Sequence, residues 1–314
     1  MLPGVITVAA LSPSVDLMYL VDHLKLGAIH RPAAVRVAGG KSLNLARAAA
    51  TLGADVAAVA VLGGATGDYI EQELVKAGIG IRSVGSPGET RVCVSVAGAD
   101  QDGLTEFYPY APEIPPEVWS AFRTRLAGMI ASRPGWLVIN GSAPQGLDDS
   151  AYAQVVEMSH QSGLKVAVDT HGPVLAAAVD RAPDLVKINR YEAAELVGVD
   201  ADSADLEALA AVIGERTGGQ VIITDGRAGA VGRAADGATH LISLPEALNG
   251  RYPVGSGDAF LGGWLAATDI GASPATALRL ATGCGTANAL LPGPGNLDPE
   301  TAREVADRCT VRSL

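Results

Sequence analysis

The sequence predicts an α/β protein in which a parallel β-sheet carries helices on both faces. Short runs rich in valine and isoleucine alternate with longer helical patterns that stop near a glycine. Two other stretches break this alternation and show the shorter, partly polar pattern of exposed strands. These observations predict one three-layer domain over residues 1–314, with a small antiparallel sheet standing off it.

The apolar runs predict the buried strands in order along the chain. They are VITVAAL (5–11), DVAAVAVL (55–62), WLVIN (136–140), KVAVDT (165–170), DLVKIN (184–189) and VIITDG (221–226). The helical patterns between them are LNLARAAATLG, DYIEQELVKAG, EVWSAFRTRLAGMIAS, DSAYAQVVEMSHQSG and DLEALAAVIGERTG. Because parallel strands need a long crossover, this alternation indicates repeated β-α units.

Residues 12–37 and 90–110 predict the small sheet. The second stretch contains two strand patterns separated by Asp102-Gly103, a dipeptide typical of a hairpin turn. A sheet that stands off the main domain is a candidate lid. Its open edges would favour pairing with another copy, which predicts a homodimer through the lid.

Composition restricts the partners. A net charge of −11 works against nucleic acid or an anionic membrane surface as a partner, because both attract basic proteins. No run approaches the roughly 18 apolar residues of a membrane span. Three widely spaced cysteines form neither a disulfide framework nor a zinc motif, so we expect a reducing, cytoplasmic location. The partner that we expect is a small molecule.

The stretch VAGGKSLN (37–44) ends like a nucleotide-binding P-loop. The strict P-loop motif would require a glycine at position 35, where Val35 stands. The role of this glycine turn therefore depends on the other motifs.

The stretch YPVGSGDAFLGGWLAAT (252–268) is the strongest candidate for chemistry. Gly255, Ser256 and Gly257 open a helix that begins at Asp258, so unpaired N–H groups lie beside one carboxylate. These N–H groups could hold the charge on a transferring phosphoryl group while Asp258 accepts a proton from the attacking hydroxyl. The alternative is an ordinary helix cap after a glycine turn.

Two further motifs each have a chemical and a structural interpretation. In KINRYEAAELVG (187–198), Asn189 and Glu192 could organise waters around a divalent cation, or could form a capping box. Lys187 could contact a phosphate or lie on the surface. In VIITDGRAGAVG (221–232), glycines could let the backbone approach a nucleotide, or could form a strand-to-strand turn.

Candidate substrate groups lie toward the N-terminus. Asp16 follows the first strand, and the glycine turn at 39–40 precedes Lys41 and Asn44. Carboxylate and amide groups suit sugar hydroxyls, whereas Lys41 and Arg91 suit a phosphate on the substrate.

Taken together, these motifs resemble the ribokinase-like (PfkB) family of carbohydrate kinases over about residues 5–300. GGKSLNLARAAATLG (39–53) is similar to one signature of that family, and PVGSGDAFLGG (253–263) is similar to the other. KINRYE and INGSAPQG (139–146) resemble two further family motifs. The resemblance implies a Rossmann-like α/β domain with a β lid, ATP as phosphoryl donor and Mg²⁺ as cofactor.

The resemblance also implies residue roles. Asp258 would be the catalytic base, and the backbone at Gly255, Ser256 and Gly257 would form the anion hole. The residues along ATP would be Lys187, Asn189, Thr224, Gly226 and Gly229. Asn189 and Glu192 would hold Mg²⁺, mostly through waters. The residues around the sugar would be Asp16, Gly39, Gly40, Lys41 and Asn44, with Arg91 and Ser142 toward a substrate phosphate.

Within the family, the chain looks most like the 1-phosphofructokinases and tagatose-6-phosphate kinases. It departs from them at Ser42, where that branch usually has glycine, and at Ser256, where alanine is usual. Asn140 and Ala143 also replace the commoner serine and leucine.

We therefore expect an ATP-dependent kinase acting on a hydroxyl of a ketohexose monophosphate such as fructose 1-phosphate, fructose 6-phosphate or tagatose 6-phosphate. One alternative is a kinase of an unphosphorylated sugar, sugar acid or nucleoside. Another is a catalytically silent sugar- or nucleotide-binding regulator.

Overall fold

A computed structural model describes residues 4–100, 103–131, 134–244, 248 and 250–314. In chain order the strands are β1 (Val5–Ala10), β2 (Ser14–Val21), β3 (Ala33–Gly39), β4 (Val56–Leu62), β5 (Gly80–Gly85), β6 (Val92–Gly98), β7 (Leu104–Phe107), β8 (Gly135–Asn140), β9 (Lys165–Asp169), β10 (Leu185–Asn189), β11 (Gln220–Thr224), β12 (Ala230–Arg233), β13 (Thr239–Ser243) and β14 (Thr310–Ser313). The helices are α1 (Lys41–Thr51), α2 (Gly64–Lys76), α3 (Pro116–Ile130), α4 (Ala151–Gln161), α5 (Gly172–Val179), α6 (Arg190–Val197), α7 (Leu206–Thr217), α8 (Ser256–Asp269), α9 (Pro274–Leu290) and α10 (Pro299–Arg308).

Ten strands form one sheet in the order β14-β13-β12-β11-β10-β9-β8-β1-β4-β5. From β5 to β11 every neighbouring pair is parallel. All six apolar runs identified in the sequence lie in this parallel part, as β1, β4 and β8 to β11. The predicted α/β fold class is confirmed.

The other end of the sheet is antiparallel. Strands β12, β13 and β14 follow β11 with alternating direction. Only residues 225–229 connect β11 to β12, and a connection this short can form a hairpin but not a parallel crossover. Residues 225–229 therefore form a strand-to-strand turn, while the nucleotide role of this stretch stays a prediction.

The sheet separates two apolar cores. Ile6 and Val8 of β1 pack in the core beneath α1, α2, α8, α9 and α10, while Ala9 lies in the core beneath α3 to α7. Alternating residues of one strand reach both cores because successive side chains point to opposite faces. Strands buried on both faces therefore read as continuous apolar runs. Among the described residues, no helix combines the length and hydrophobicity needed to cross a membrane.

The predicted lid is a separate four-stranded sheet in the order β3-β2-β6-β7. Its two outer pairs, β2 with β3 and β6 with β7, are antiparallel hairpins as expected. The two hairpins join through β2 and β6, which run parallel. Of the predicted Asp102-Gly103 turn, Asp102 lies outside the described residues.

The connections bring the lid to one edge of the main sheet. Strand β1 ends at Ala10 and β2 begins at Ser14, while β3 ends at Gly39 and α1 begins at Lys41. The carboxyl ends of β8, β9, β10 and β11 lie along the same edge. Ligands of open parallel sheets bind at this edge, and the candidates Asn189 and Thr224 end two of these strands.

The packing of α9 against α10 leads to a stability prediction. A Cβ atom added to Gly283 would lie 2.1 Å from the carbonyl oxygen of Ala302. Because that neighbour is backbone, Gly283→Ala should lower the free energy of unfolding by about 1–3 kcal/mol. The matched control is Gly128→Ala in α3, where a Cβ meets nothing within 4 Å. The control should gain about 0.5 kcal/mol from helix propensity. Urea denaturation measures both, and equal effects would contradict the packing argument.

Candidate active site

The N-terminus of α8 is formed as a glycine turn. Gly255 caps the helix with a φ of 82°, and a Cβ there would lie 2.7 Å from the backbone nitrogen of Gly295. The turn therefore requires glycine. The N–H of Ser256 donates to the carbonyl of Pro253 at 3.1 Å, so in this conformation it is not free for a ligand. The predicted anion hole therefore loses the N–H group of Ser256. Helix geometry leaves the N–H groups of Gly257 and Asp258 without intrahelical acceptors, so these two can donate to a ligand.

The side-chain amide of Asn288 holds this turn in place. Asn288 was not identified from the sequence. Its Nδ2 donates to the carbonyl of Val254 at 2.9 Å and to Oγ of Ser256 at 3.2 Å. Its Oδ1 accepts from the N–H of Gly295 at 2.7 Å. The side chain is fully buried, so one amide holds together two loops that are far apart in the sequence. Asn288 lies in α9, a helix of mostly small residues, and this sequence pattern does not indicate that one of its side chains holds two loops together.

Asp258 lies in the first turn of α8 and is 5% exposed. Its Oδ2 accepts from Nδ2 of Asn44 at 3.0 Å, and its Oδ1 accepts from Nδ2 of Asn140 at 3.1 Å. Burial raises the pKa of Asp258 to about 6, with Lys41 opposing the shift and Asp169 adding to it. A carboxylate with this pKa is ionised at neutral pH and can accept a proton.

Asp169 lies between two lysines at the carboxyl end of β9. Its Oδ2 accepts from Nζ of Lys187 at 2.5 Å, and its Oδ1 lies 3.8 Å from Nζ of Lys41. The charge of Asp169 is the main reason that the pKa of Lys41 is raised. Sequence reasoning did not single out Asp169, although an aspartate that ends a buried strand is a signal for this position.

Lys187 connects this charge cluster to the glycine turn. A Cβ built on Gly257 would lie 3.0 Å from Nζ of Lys187, so the ammonium group is next to the start of α8. Lys187 is 5% exposed, and its interpretation as a surface lysine is wrong. A buried ammonium group beside free helix N–H groups is an arrangement that binds phosphate.

The substrate candidates at the root of the lid form a tight turn. Oδ2 of Asp16 accepts from the N–H of Gly40 at 3.3 Å, and Oδ1 accepts from Oγ of Ser14 at 2.5 Å. A Cβ on Gly39 would lie 2.2 Å from Oδ2 of Asp16, so any side chain here would displace the Asp16 carboxylate. Burial raises the pKa of Asp16, while its hydrogen bonds and nearby arginines oppose the shift.

Ser42 ties the first turn of α1 to two strand ends. Its Oγ lies 2.6 Å from the carbonyl oxygen of Asn140 and 3.0 Å from that of Ala9. The hydroxyl is buried and turned toward backbone. Ser42 therefore fixes the turn instead of offering its hydroxyl to a ligand.

Arg91 and Ser142 are not brought into direct contact with the other candidates. Arg91 donates to the carbonyl of Ser12 at 3.1 Å and to that of Pro109 at 3.0 Å. It thus links both lid segments through backbone oxygens. Ser142 is exposed in the loop after β8.

The remaining nucleotide and metal candidates have structural roles, which do not test their ligand roles. Asn189 and Glu192 form a reciprocal capping box at the start of α6, with distances of 3.0 and 2.8 Å. Oγ1 of Thr224 lies 3.5 Å from the carbonyl of Ile188. Gly226 begins a short 3₁₀ turn, and Gly229, with a φ of 107°, would place a Cβ 1.9 Å from the carbonyl of Ile242. Across the described ranges, no group of three or more acidic, histidine or cysteine side chains could hold a metal.

The chain is similar to known proteins over nearly its whole length. The model of the pfkB family carbohydrate kinases matches residues 9–301. A 1-phosphofructokinase from Rhodobacter capsulatus is 30% identical over 312 residues, which cover 98% of each chain.

Solved structures share the fold. Phosphofructokinase-2 from Escherichia coli, solved in complex with potassium, has a TM-score of 0.87 at 23% identity and covers 97% of this chain and 98% of its own. A possible 1-phosphofructokinase from Thermotoga maritima has a TM-score of 0.89 at 21% identity and covers 99% of both chains.

The raised pKa of Asp258 leads to a prediction about stability. The Asp258 carboxyl group has a pKa of about 6 in the folded chain, whereas an aspartate in an unfolded chain has a pKa of about 3.9. The stability that protonation supplies is complete below about pH 4 and is lost as the pH rises through about 6. The loss amounts to about 3 kcal/mol. Asp258→Asn cannot titrate, so its unfolding free energy relative to wild type should rise by about 2 kcal/mol between about pH 4.5 and 7.5. Guanidinium denaturation measures this difference, and a constant difference would contradict the raised pKa.

Proposed function

The chain belongs to the pfkB family of carbohydrate kinases, and we propose that it transfers the γ-phosphoryl group of ATP to a hydroxyl of a ketohexose monophosphate. The observation that carries this proposal is the buried Asp258 carboxylate beside the glycine turn of α8 and the Lys187 ammonium group. A base, an anion hole and a fixed cation are the parts that phosphoryl transfer needs.

Each part has one task in an in-line transfer. The substrate hydroxyl oxygen forms a bond to the γ-phosphorus, the bond from phosphorus to the bridging oxygen breaks, and ADP leaves. Asp258 accepts the hydroxyl proton as the new bond forms. The N–H groups at the start of α8 and the Lys187 ammonium group hold the charge on the transferring phosphoryl oxygens.

The residues fit ATP and fit Mg²⁺ held through waters. Lys187 and the glycine turn suit the phosphates, as argued above. Asn189 and Glu192 each use one oxygen in the capping box, and the absence of an acidic cluster from the described ranges argues against a cage of direct ligands. Magnesium, when bound, would neutralise charge on the phosphates. Thr224, Gly226 and Gly229, at the carboxyl end of β11, would lie along the nucleotide.

The substrate proposal rests on charge near the glycine turn at the root of the lid. The side chains of Asp16 and Asn44 suit hydroxyls, and Lys41 and Arg91 suit a phosphate, with Ser142 at the rim. A relative at 30% identity that is named 1-phosphofructokinase supports a phosphorylated ketohexose. An unphosphorylated sugar, a sugar acid or a nucleoside stays the alternative substrate class.

The lid would close over the substrate and exclude water, which is a competing phosphoryl acceptor. A homodimer through the lid stays a prediction. Strands β3 and β7 are the open edges of this sheet, and Phe107, on β7, is well exposed. The cytoplasmic location likewise stays a prediction.

Replacing the base tests the reaction. Asp258→Asn should lower kcat by 10²–10⁴-fold with the best substrate, because general bases contribute about this much. The best substrate comes from an ATP-consumption screen over fructose 1-phosphate, fructose 6-phosphate, tagatose 6-phosphate, ribose and adenosine. Turnover of the variant within about tenfold of wild type would exclude Asp258 as the base. ATP consumption with none of these sugars or nucleosides would favour a silent regulator.

Replacing Arg91 tests the substrate class. Arg91→Ala should raise KM for the phosphorylated ketohexose by at least about tenfold, because it removes a charged partner of the phosphate, and should leave KM for ATP nearly unchanged. The matched control is Arg251→Ala, because Arg251 also donates to a lid carbonyl, that of Gly98, at 2.9 Å. If both variants change KM equally, or if Arg91→Ala changes KM for no phosphorylated sugar, the sugar-phosphate proposal is wrong.

A further inference from the structure

Asn140 bridges the buried carboxylate and the glycine turn. It ends strand β8 and is 5% exposed. Its Nδ2 lies 3.1 Å from Oδ1 of Asp258 and 3.1 Å from the carbonyl oxygen of Lys41. Both neighbours only accept hydrogen bonds, so the amide must present its NH₂ group to them. The orientation of the Asn140 amide is therefore fixed by chemistry.

The other end of the same amide has no such role. Oδ1 of Asn140 is buried and finds no hydrogen-bond partner within the part of the chain that the structure describes. A buried acceptor without a partner destabilises the fold. The asparagine therefore satisfies two acceptors while its own oxygen stays unpaired, so the NH₂ group is the part of this side chain that the site uses.

The backbone of Asn140 is held on two sides. Oγ of Ser42 lies 2.6 Å from its carbonyl oxygen, and Asn140 is the register partner of Asp169 on β9. The following N–H, that of Gly141, donates to the carbonyl of Asp169 at 2.8 Å. The NH₂ group of Asn140 is thus presented to Asp258 from a rigid strand end.

We propose that Asn140 is a positioning residue for the base: its NH₂ group holds Asp258 in the ionised form and fixes it relative to the turn that begins α1. This inference rests on the proposed function, because it takes Asp258 as the proton acceptor. Asn44 donates to the other carboxylate oxygen, so each oxygen of Asp258 accepts a hydrogen bond from one amide.

The charged groups that face Asp258 define what the loss of this donor would do. Burial is the largest effect and raises the pKa of Asp258 to about 6, and Asp169 adds to it, while Lys41, the hydrogen bond from Asn44 and Lys187 favour the ionised carboxylate. A hydrogen bond to the charged form lowers the pKa of an acid. Removing the Asn140 donor therefore moves the pKa of Asp258 upward, toward the pH at which the enzyme works.

The test is the pH profile of kcat for Asn140→Ala and Asn140→Asp. In Asn140→Ala, the acid limb should move up by about one pH unit, so that kcat falls about five- to tenfold near pH 6 and recovers above about pH 8. Asn140→Asp has nearly the same shape but adds a second carboxyl group, so its acid limb should move further. KM for the sugar should stay within about twofold.

Ser159→Ala is the matched control. It also removes a buried hydroxyl that donates to a backbone carbonyl, that of Val155 at 2.7 Å, but that hydroxyl bonds neither Asn140 nor Asp258, so the variant should leave the acid limb in place. Substrate phosphates titrate in the same pH range, but identically for every variant, and differences between variants therefore report the protein.

Two results overturn the proposal, and they are distinguishable. If Asn140→Ala and Asn140→Asp lower kcat equally at every pH while Asp258→Asn is inactive, the positioning role is wrong and the proposed function stands. If Asp258→Asn stays active, the base assignment fails and this inference fails with it. Should Asn140→Ala not fold, Asn140→Leu, which is close to asparagine in size and carries neither a donor nor a charge, decides the question by the same shift of the acid limb.

Discussion

A carboxylate that is removed from water needs donors and opposite charges to replace the lost hydration, and in this protein the Asp258 carboxylate is 5% exposed. Its hydrogen bonds come from Asn44 on α1 and Asn140 on β8, and the cation Lys41 comes from the start of α1. A second cation, Lys187, lies at the end of β10 against Asp169. The parallel sheet supplies what this carboxylate requires, because it brings strand ends that are distant in sequence to one edge.

Features that repeat along the chain could be predicted from the sequence. The apolar runs identified β1, β4 and β8 to β11, since a strand buried on both faces reads as a continuous apolar run. The short strands β12 to β14 were not predicted as an antiparallel edge, because their patterns are brief and their direction depends on connection length. The local sequence determines the hydrophobic periodicity of a strand, but it does not determine which strand pairs with it.

The candidate site divides in the same way. Asp258 and its glycine turn could be found because the whole unit is contiguous in sequence. Asn288 and the contact of Asn140 with Asp258 could not, because each joins elements that meet only in the fold: Asn288 on α9 holds the turn before α8, and Asn140 lies 118 positions from Asp258. Asp169 ends a buried strand and so carried a signal, but its pairing with Lys41 and Lys187 did not. The Asn189–Glu192 capping box is the intermediate case. A helix cap and a water-mediated cation site use the same oxygens, so no local pattern separates the two.

The two connections of the β2–β3 lid segment lie on the substrate side of the site. Residues 11–13 separate β1 from β2, and Gly40, with a φ of 84°, separates β3 from α1. Asp16, on the lid strand β2, accepts from the N–H of Gly40, which caps α1. The orientation of the lid and the shape of the substrate pocket therefore depend on the same residues. A chimera that takes its lid from a relative must take residues 11–16 and 38–44 with it, because neither side of the joint is complete without the other.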